Sequence, residues 1–315
     1  MISPKEQIQD VEPGTTWVSR AAFPIVSAGF YGAQALLVWV VWKQWWWAAV
    51  PLSLVVSHFM HAFLIAFHEA SHGLLRKNRL LNEIDGVIMG ITSLTSFTLY
   101  RALHQKHHAN LATEKDVELW PFVNPRAPLW GRRLAAFLEL NFGMFYTPFL
   151  FWRVFFARPS PVSSKRVRRR IRAELALTAG FWSLAMWAVV HFSLWPWFWF
   201  NYFVPAFIAG NLQSWRKYIE HVGLSGHTAR SATRSIVADT AAGRLVSLTL
   251  LHEPLHGIHH IKSNIPHSGL PARTAWLEPA EAGDTAPYPN YRAAFADLLR
   301  QLPDPRVGKQ WGAAR

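Results

Sequence analysis

The stretch Leu251 to His260 reads LHEPLHGIHH and places His252, His256, His259 and His260 within nine residues. On a helix His256, His259 and His260 stand at i, i+3 and i+4, so three imidazoles leave one face and can converge on a single point. Neutral imidazole nitrogen is the commonest side-chain metal ligand, and such convergence points to a metal. The pattern recurs in LHQKHHAN, where His104, His107 and His108 have identical spacing, and HEASH adds His68 and His72 at i, i+4. Eight histidines exceed what one tetrahedral zinc takes and suit two ions. Imidazoles suit iron, zinc and copper, so ligand chemistry alone does not name the metal; around two irons, neutral ligands would tolerate changes of oxidation state and leave positions open for dioxygen.

The elements that carry these residues belong at a membrane. The 315-residue chain is 51% hydrophobic, contains 17 Trp and is only 16% charged, against roughly 25% charged in soluble domains. Without cysteine it has no disulfide, no thiolate zinc site and no iron–sulfur module. A net charge of +13 does not indicate nucleic acid, because the charges flank long uncharged runs: 22 residues from Ala21 to Trp42, 24 from Gln44 to Phe67 and 41 from Leu175 to Trp215. At ~1.5 Å per helical residue, 22 residues reach about 33 Å, enough for a hydrocarbon core of about 30 Å. The longest run suffices for two crossings that turn near Pro196.

The expected fold is therefore an all-α integral membrane protein, one membrane domain over residues 1–315. Four transmembrane helices, about 21–42, 45–67, 175–194 and 197–215, form two hairpins, joined by interfacial helices and topped by a helical cap that holds the histidines; a Pro-rich tail runs over 271–315. With both termini on one side, only Lys43 of the 32 Lys and Arg lies on the far side, so 31 share the near side, which the positive-inside rule makes the cytoplasm. In a prokaryote that membrane is the bacterial inner membrane. Trp45, Trp46, Trp47, Trp195, Trp197 and Trp199 mark the far interface as an aromatic belt. The first twenty residues are polar and mixed in charge, with no signal-peptide pattern.

Along the chain, HEASH falls at the cytoplasmic end of the second span. His61 lies within about 20° of His68 at ~100° per residue. It is expected either as a hydrogen-bonded interior histidine or as the lining of a substrate channel descending from the metals; His58 faces elsewhere. Gly86 to Tyr100 is apolar but too short to span, and is expected to be re-entrant or interfacial. Trp130 to Phe156, with Arg132, Arg133, Glu139 and Arg153, is expected as an interfacial amphipathic helix. From Arg153 to Arg172 eight of twenty residues are basic, as in a loop held by anionic headgroups. His221 follows the fourth span as His68 follows the second. His252, one turn before His256, could reach the site; His191 and His227 stand alone, and His267 is expected to pack beside the last cluster.

HEASH also fits HExxH, in which Glu69 would be the general base of a zinc protease. That reading explains one cluster and leaves two without purpose. A metal transporter needs ionisable residues along a path through the spans, where only His58, His61 and His191 are available.

The three clusters HEASH, HQKHH and HGIHH, in this order and on this four-span layout, resemble the histidine boxes of the membrane fatty-acid desaturase superfamily over about Ala21 to Pro271. The resemblance implies a four-helix membrane stem beneath a cytosolic cap holding two iron ions. Their ligands would be His68, His72, His104, His107, His108, His256, His259 and His260, with His221 in RKYIEHVG as the ninth. Where some members have an asparagine four residues before that last histidine, this chain has Lys217. The segment HHANLATEKDVELWPF resembles a family region in which Asp116 is the acid; Glu69, Asp116, Glu220 and Glu253 are candidate partners of the ligand N–H groups. The implied activity is insertion of a double bond into an acyl chain of a lipid, using dioxygen and two electrons from a separate donor such as ferredoxin or cytochrome b5. Hydroxylases and ketolases acting on alkanes, carotenoids or small molecules share the same boxes.

Overall fold

The structure is a computed structural model that describes residues 15–311. These are helical apart from loops and one isolated bridge between Ile236 and Tyr288. Helix α1 (Ala22–Trp42) and helix α2 (Trp46–Ser71) form an antiparallel hairpin that turns at Lys43 and Gln44. Leu37, Val40 and Val41 pack on Ala49 and Val56 at one end, and Ala22, Phe23 and Val26 pack on Ala62, Ile65 and Ala66 at the other. Much of the outer surface of these helices is exposed and apolar, as lipid-facing helices require.

Gly86 to Tyr100 forms the tip of a second, shorter hairpin. Helix α3 (Arg79–Thr92) starts at Asn78, whose side chain accepts from the Leu81 amide at 3.1 Å, and helix α4 (Phe97–Ala109) starts at Ser96, which caps the Leu99 amide. The tip of this hairpin is pinned from outside: the Trp182 indole donates to the Ile91 carbonyl (2.9 Å) and the Tyr202 hydroxyl to the Thr92 carbonyl (2.8 Å). Glu174 fixes the first turn of α4 through Ser96 Oγ (2.7 Å), the Thr98 amide (2.9 Å) and Thr98 Oγ1 (2.6 Å).

Two of the long helices add detail to the expected layout. Trp130 to Phe156 lies within helix α5 (Leu129–Phe156), 28 residues broken at Phe142 (φ −134°, ψ 34°). It is long and apolar enough to cross a membrane, as are α1, α2 and helix α6 (Lys165–His191). The amphipathic appearance arose because Arg132, Arg133 and Glu139 all precede the break, and Arg153 closes an uncharged second half. Two of the charges before the break are met internally, Arg132 by Asp304 and Glu139 by Lys217, with the Tyr218 hydroxyl donating to Glu139, while Arg133 is exposed and donates to the Pro303 carbonyl.

The expected fourth span, 197–215, lies within one continuous helical run, Trp195–His221, that passes through a π-helical turn at Trp199–Phe203 before helix α7 (Val204–His221). Pro205 lacks the N–H that would bond the Asn201 carbonyl, and Gln34 Nε2 of α1 donates to that carbonyl instead at 2.8 Å. By length and composition α1, α2, α5 and α6 could each cross a membrane.

Beyond the long helices, α8 (Ala241–Thr249), α9 (His256–Ile261) and α10 (Tyr291–Gln301) build a cap with the ends of α4, α5 and α7. Leu119, Phe122, Leu140, Tyr218, Val222 and Leu298 meet in its core. The tail from residue 271, which the sequence marks only as Pro-rich, is part of this body, since Ala294 and Leu298 of α10 are fully buried. Buried Arg234 donates to the Ile219 and Val222 carbonyls (3.1 and 2.7 Å) at the end of α7 and pairs with Asp297 of α10. It thereby satisfies helix-terminal acceptors and locks the turn that presents His221.

Candidate metal centre

Four elements deliver imidazoles to one place. The C-terminal turn of α2 brings His68, with His72 at its cap; α4 brings His104, His107 and His108; α7 ends on His221; α9 supplies His256, His259 and His260. The approach to α9 is constrained, for Leu251 and His252 both adopt positive φ (50° and 57°), a conformation that costs about 1–3 kcal/mol outside glycine. Gly257 then has to be glycine: a Cβ there would stand 2.8 Å from both Leu277 and Ser235 Oγ, and its amide donates to that hydroxyl at 2.7 Å.

The nine histidines fall into two adjoining groups. His68, His72, His104, His108 and His259 each place one nitrogen within 4.8 Å of the others. His107, His221 and His260 form a second such set, which His256 joins through Nε2 at 2.9 Å from His221 Nε2 and 3.0 Å from His260 Nε2. His108 links the groups, its ring stacked on His260 at 4.4 Å while its Nε2 lies 3.0 Å from both His104 and His259.

The outer ring nitrogens fix the tautomers. Nδ1 of His104 meets Glu118 (3.2 Å), Nδ1 of His107 meets Asp116 (2.8 Å) and Nδ1 of His256 meets Glu253 (3.0 Å). His221 Nδ1 lies 3.2 Å from the Ala232 carbonyl. A carbonyl or a carboxylate only accepts, so each Nδ1 carries the hydrogen and each Nε2 turns a bare lone pair inward. Between His221 and His256, two such lone pairs face each other at 2.9 Å, and His68 and His72 each bury an Nε2 without a partner. Lone pairs opposed in this way repel; a cation between them is what they fit. The all-imidazole donor set suits iron, zinc or copper, and the number of donors suits two ions.

Burial disfavours imidazolium at several of these rings: it holds His72 at about 3 and His256 at about 4, and pushes His104, His259 and His260 well below the ordinary histidine range. His107 shifts the other way. Burial pulls it down, but the carboxylates of Asp116 and Glu118 outweigh burial and raise it.

Behind the imidazoles lies a buried charge network. Glu253 touches one histidine of each group, His256 at 3.0 Å and His68 at 3.4 Å. Arg216 Nη1 donates to Glu253 (2.7 Å) and to both oxygens of Glu220 (2.6 and 2.7 Å). Despite burial, His68 and Arg216 hold Glu253 well below the usual carboxylate range. Glu220 itself stands 3.6 Å from His256 Nε2. Of the four expected acids, Asp116, Glu220 and Glu253 thus adjoin box histidines.

Glu69 does not. Its carboxylate turns to His267, accepting from the backbone amide at 2.8 Å and meeting Nδ1 at 3.2 Å. The HExxH reading thereby loses its general base. His252 also stands outside both groups, with Nδ1 3.3 Å from Ser247 Oγ. His61 is buried, its Nε2 has no hydrogen-bond partner, and it is not among the residues lining the two cavities beside the centre. Lys217 pairs with Glu139. Sequence reasoning missed Glu118 and Arg216. Glu118 follows Asp116 by two residues, and Arg216 stands one helical turn before Glu220, so a search for i, i+4 ion pairs at the end of an apolar run would have found the latter.

A small cavity of about 50 Å³, with several charged side chains in its wall, reaches the histidines, and a larger apolar one of about 240 Å³ runs between α1, α2, α3, α5 and α7. They share Tyr100, Thr147, Phe151 and Gln213, and Tyr100 stacks on His104 (5.3 Å, 7° between planes). An extended apolar molecule in the larger cavity would have one part directed at the imidazoles.

Comparison with known proteins agrees with this geometry. The chain is 22% identical over 248 residues to a fatty acid desaturase of Bacillus subtilis (strain 168), covering 73% of this chain and 68% of the relative. It is 22% identical over 279 residues to an sn-1 acyl-lipid omega-3 desaturase (ferredoxin) of Synechocystis sp. (strain ATCC 27184 / PCC 6803 / Kazusa), covering 80% and 72% respectively. The sequence model of the fatty acid desaturases matches residues 44–292, most of the chain including all nine clustered histidines, and the chain belongs to that family.

Proposed function

We propose that this chain is a membrane di-iron oxygenase that introduces a double bond into an acyl chain of a lipid. The observation that carries the reading is the set of nine imidazoles, five and four, with bare Nε2 lone pairs opposed at the end of an apolar cavity. His68, His72, His104, His108 and His259 would hold one ion, and His107, His221, His256 and His260 the other. Two irons, when bound, would supply the oxidising power that an unactivated C–H bond demands. In the balanced reaction the acyl chain gives up two hydrogens, dioxygen takes these with two electrons and two protons, and two waters leave.

The protein's own part is positional. Asp116, Glu118 and Glu253 hold the imidazole rings in the ligating tautomer. The apolar wall formed by Met144, Pro148 and Phe151 excludes water and takes the chain in extended form. Electrons would come from a separate ferredoxin, cytochrome b5 or similar carrier, and the centre with both termini would face the cytoplasm. The name of the Synechocystis relative, which specifies an acyl-lipid and ferredoxin, supports both the substrate class and the donor class.

The test is expression in a host that supplies reduced ferredoxin or cytochrome b5, followed by mass spectrometry of total lipid. Loss of two hydrogens from an acyl chain is the expected result. Gain of one oxygen would instead assign a hydroxylase or ketolase, and unchanged lipid in cells whose purified protein holds two irons would remove lipids from the substrate list.

A further inference from the structure

Away from the histidines, a groove of about 530 Å³ opens between α4 and α6. Arg101, Arg166, Arg169 and Arg170 line it, and half-buried Ala102 and Val167 form its apolar floor. We propose that this groove seats the phosphate headgroup of an anionic membrane phospholipid against the outer face of the helix that presents His104, His107 and His108.

Charge comes first. Arg101 and Arg170 both pair with Glu83, and Arg170 also pairs with Glu174. Arg166 and Arg169, both exposed, meet no carboxylate among the described residues. Four guanidinium groups against two carboxylates leave two positive charges over a concave surface, the complement of a phosphodiester or phosphomonoester.

Place comes second. The groove occupies the last charged turns of α6 before the uncharged run that begins at Leu175. Neighbouring α3 exposes Leu80, Leu81, Ile84 and Ile88, so the groove lies where a lipid headgroup meets acyl chains.

Shape decides between ligands. Inorganic phosphate would gain nothing from the apolar floor, whereas the glycerol and first methylenes of a lipid would bury on it. A protein partner typically covers about 800 Å² on each side, far more than the nine residues of this groove offer.

The floor is also rigid, because Glu174 clamps Ser96 and Thr98 at the start of α4 while Arg170 ties Glu174 and Glu83 together. A bound lipid would therefore brace the helix on which three of the nine histidines stand. The inference rests on α6 crossing the bilayer and not on the reaction assigned to the centre, so either can fail alone.

The experiment is native mass spectrometry of the detergent-solubilised full chain titrated with phosphatidylglycerol or phosphatidylcholine. The expected result is preferential retention of one phosphatidylglycerol. Arg166→Gln with Arg169→Gln should weaken that retention by about ten- to thirtyfold, and Ala102→Trp, which fills the floor and leaves every arginine in place, should do the same. The proposal is overturned by equal retention of the two lipids by the natural chain, by unchanged preference in both variants, or by displacement of the lipid by millimolar inorganic phosphate. Slower reduction by ferredoxin with lipid retention intact in the arginine variant would also overturn it, and would assign the groove to the electron donor.

Discussion

His108 occupies the junction of the two imidazole groups, with Nε2 3.0 Å from two neighbours in one group and its ring stacked on His260 of the other. Its replacement by alanine should leave the helices folded in the membrane yet abolish both metal retention and turnover; His259→Ala should behave alike. Full iron content in either variant would remove that residue from the ligand set. Glu118 acts one step further out. Glu118→Ala deprives His104 of its Nδ1 acceptor and should weaken metal affinity by about ten- to a hundredfold, read as metal loss during dialysis against a chelator.

Acid should act on the metal-free protein through the same rings. Burial holds His72 at about 3 and His256 at about 4, whereas in the unfolded chain both titrate near ~6.5. Below that value the unfolded state binds protons that the folded state refuses. The stability contributed by these neutral rings is therefore present above about pH 6.5 and lost as pH falls toward 4. His107, whose pKa is raised, runs the other way and offsets part of the loss. The melting temperature of the metal-free protein should be lower at about pH 5.5 than at about pH 7.5, and equality would contradict the neutral, buried assignment. At this scale the sequence was informative where helical spacing alone aligns side chains. Glu118 lies 14 residues from His104 across a loop, and spacing carries no information about such a partner.

The same limit appears among the elements, and α5 makes its cause visible. The break at Phe142 leaves two backbone groups free, and Asn211 of α7 takes both: its Oδ1 accepts from the Gly143 amide (2.8 Å) and its Nδ2 donates to the Asn141 carbonyl (3.0 Å). The helices meet there at backbone contact, since a Cβ on Gly143 would stand 2.2 Å from Ser214 Oγ and one on Gly210 2.7 Å from the Met144 backbone. A window read along α5 averages a charged half with an apolar one, because the residue that stabilises the break lies about seventy positions away. Past the break, Gly143, Met144, Thr147, Pro148 and Phe151 line the apolar cavity while Phe145, Phe149 and Phe156 face outward. Asn211→Leu keeps the branched outline and removes both bonds. It should cost about 1–3 kcal/mol for each group left without a partner, seen as a lower denaturation midpoint in detergent. Asn211→Asp, which can still accept but not donate, should lose about half as much. An unchanged midpoint in the leucine variant would mean that the break does not depend on this bridge.

For the whole molecule, the decisive quantity is the distance between its two ends. Helix α2 runs 26 residues from the turn at Lys43 and Gln44 to the histidines, about 39 Å at ~1.5 Å per residue, which exceeds a hydrocarbon core of about 30 Å. If α2 spans, the turn and the metal centre lie on opposite sides of the bilayer. The basic residues then decide which side is which, because the turn carries only Lys43 whereas the histidine end carries the arginine-rich start of α6. The chain has no cysteine, so a single introduced thiol reports its own location. Gln44→Cys, exposed in the turn, should react with a membrane-impermeant maleimide added to intact spheroplasts. Lys262→Cys, exposed just after α9, should react only in inverted vesicles. Labelling of both positions from one side would mean that α2 does not cross, and would detach the apolar cavity from the bilayer as its source of acyl chains. The reverse pattern would keep the fold but place the centre outside, beyond the reach of a cytoplasmic electron donor.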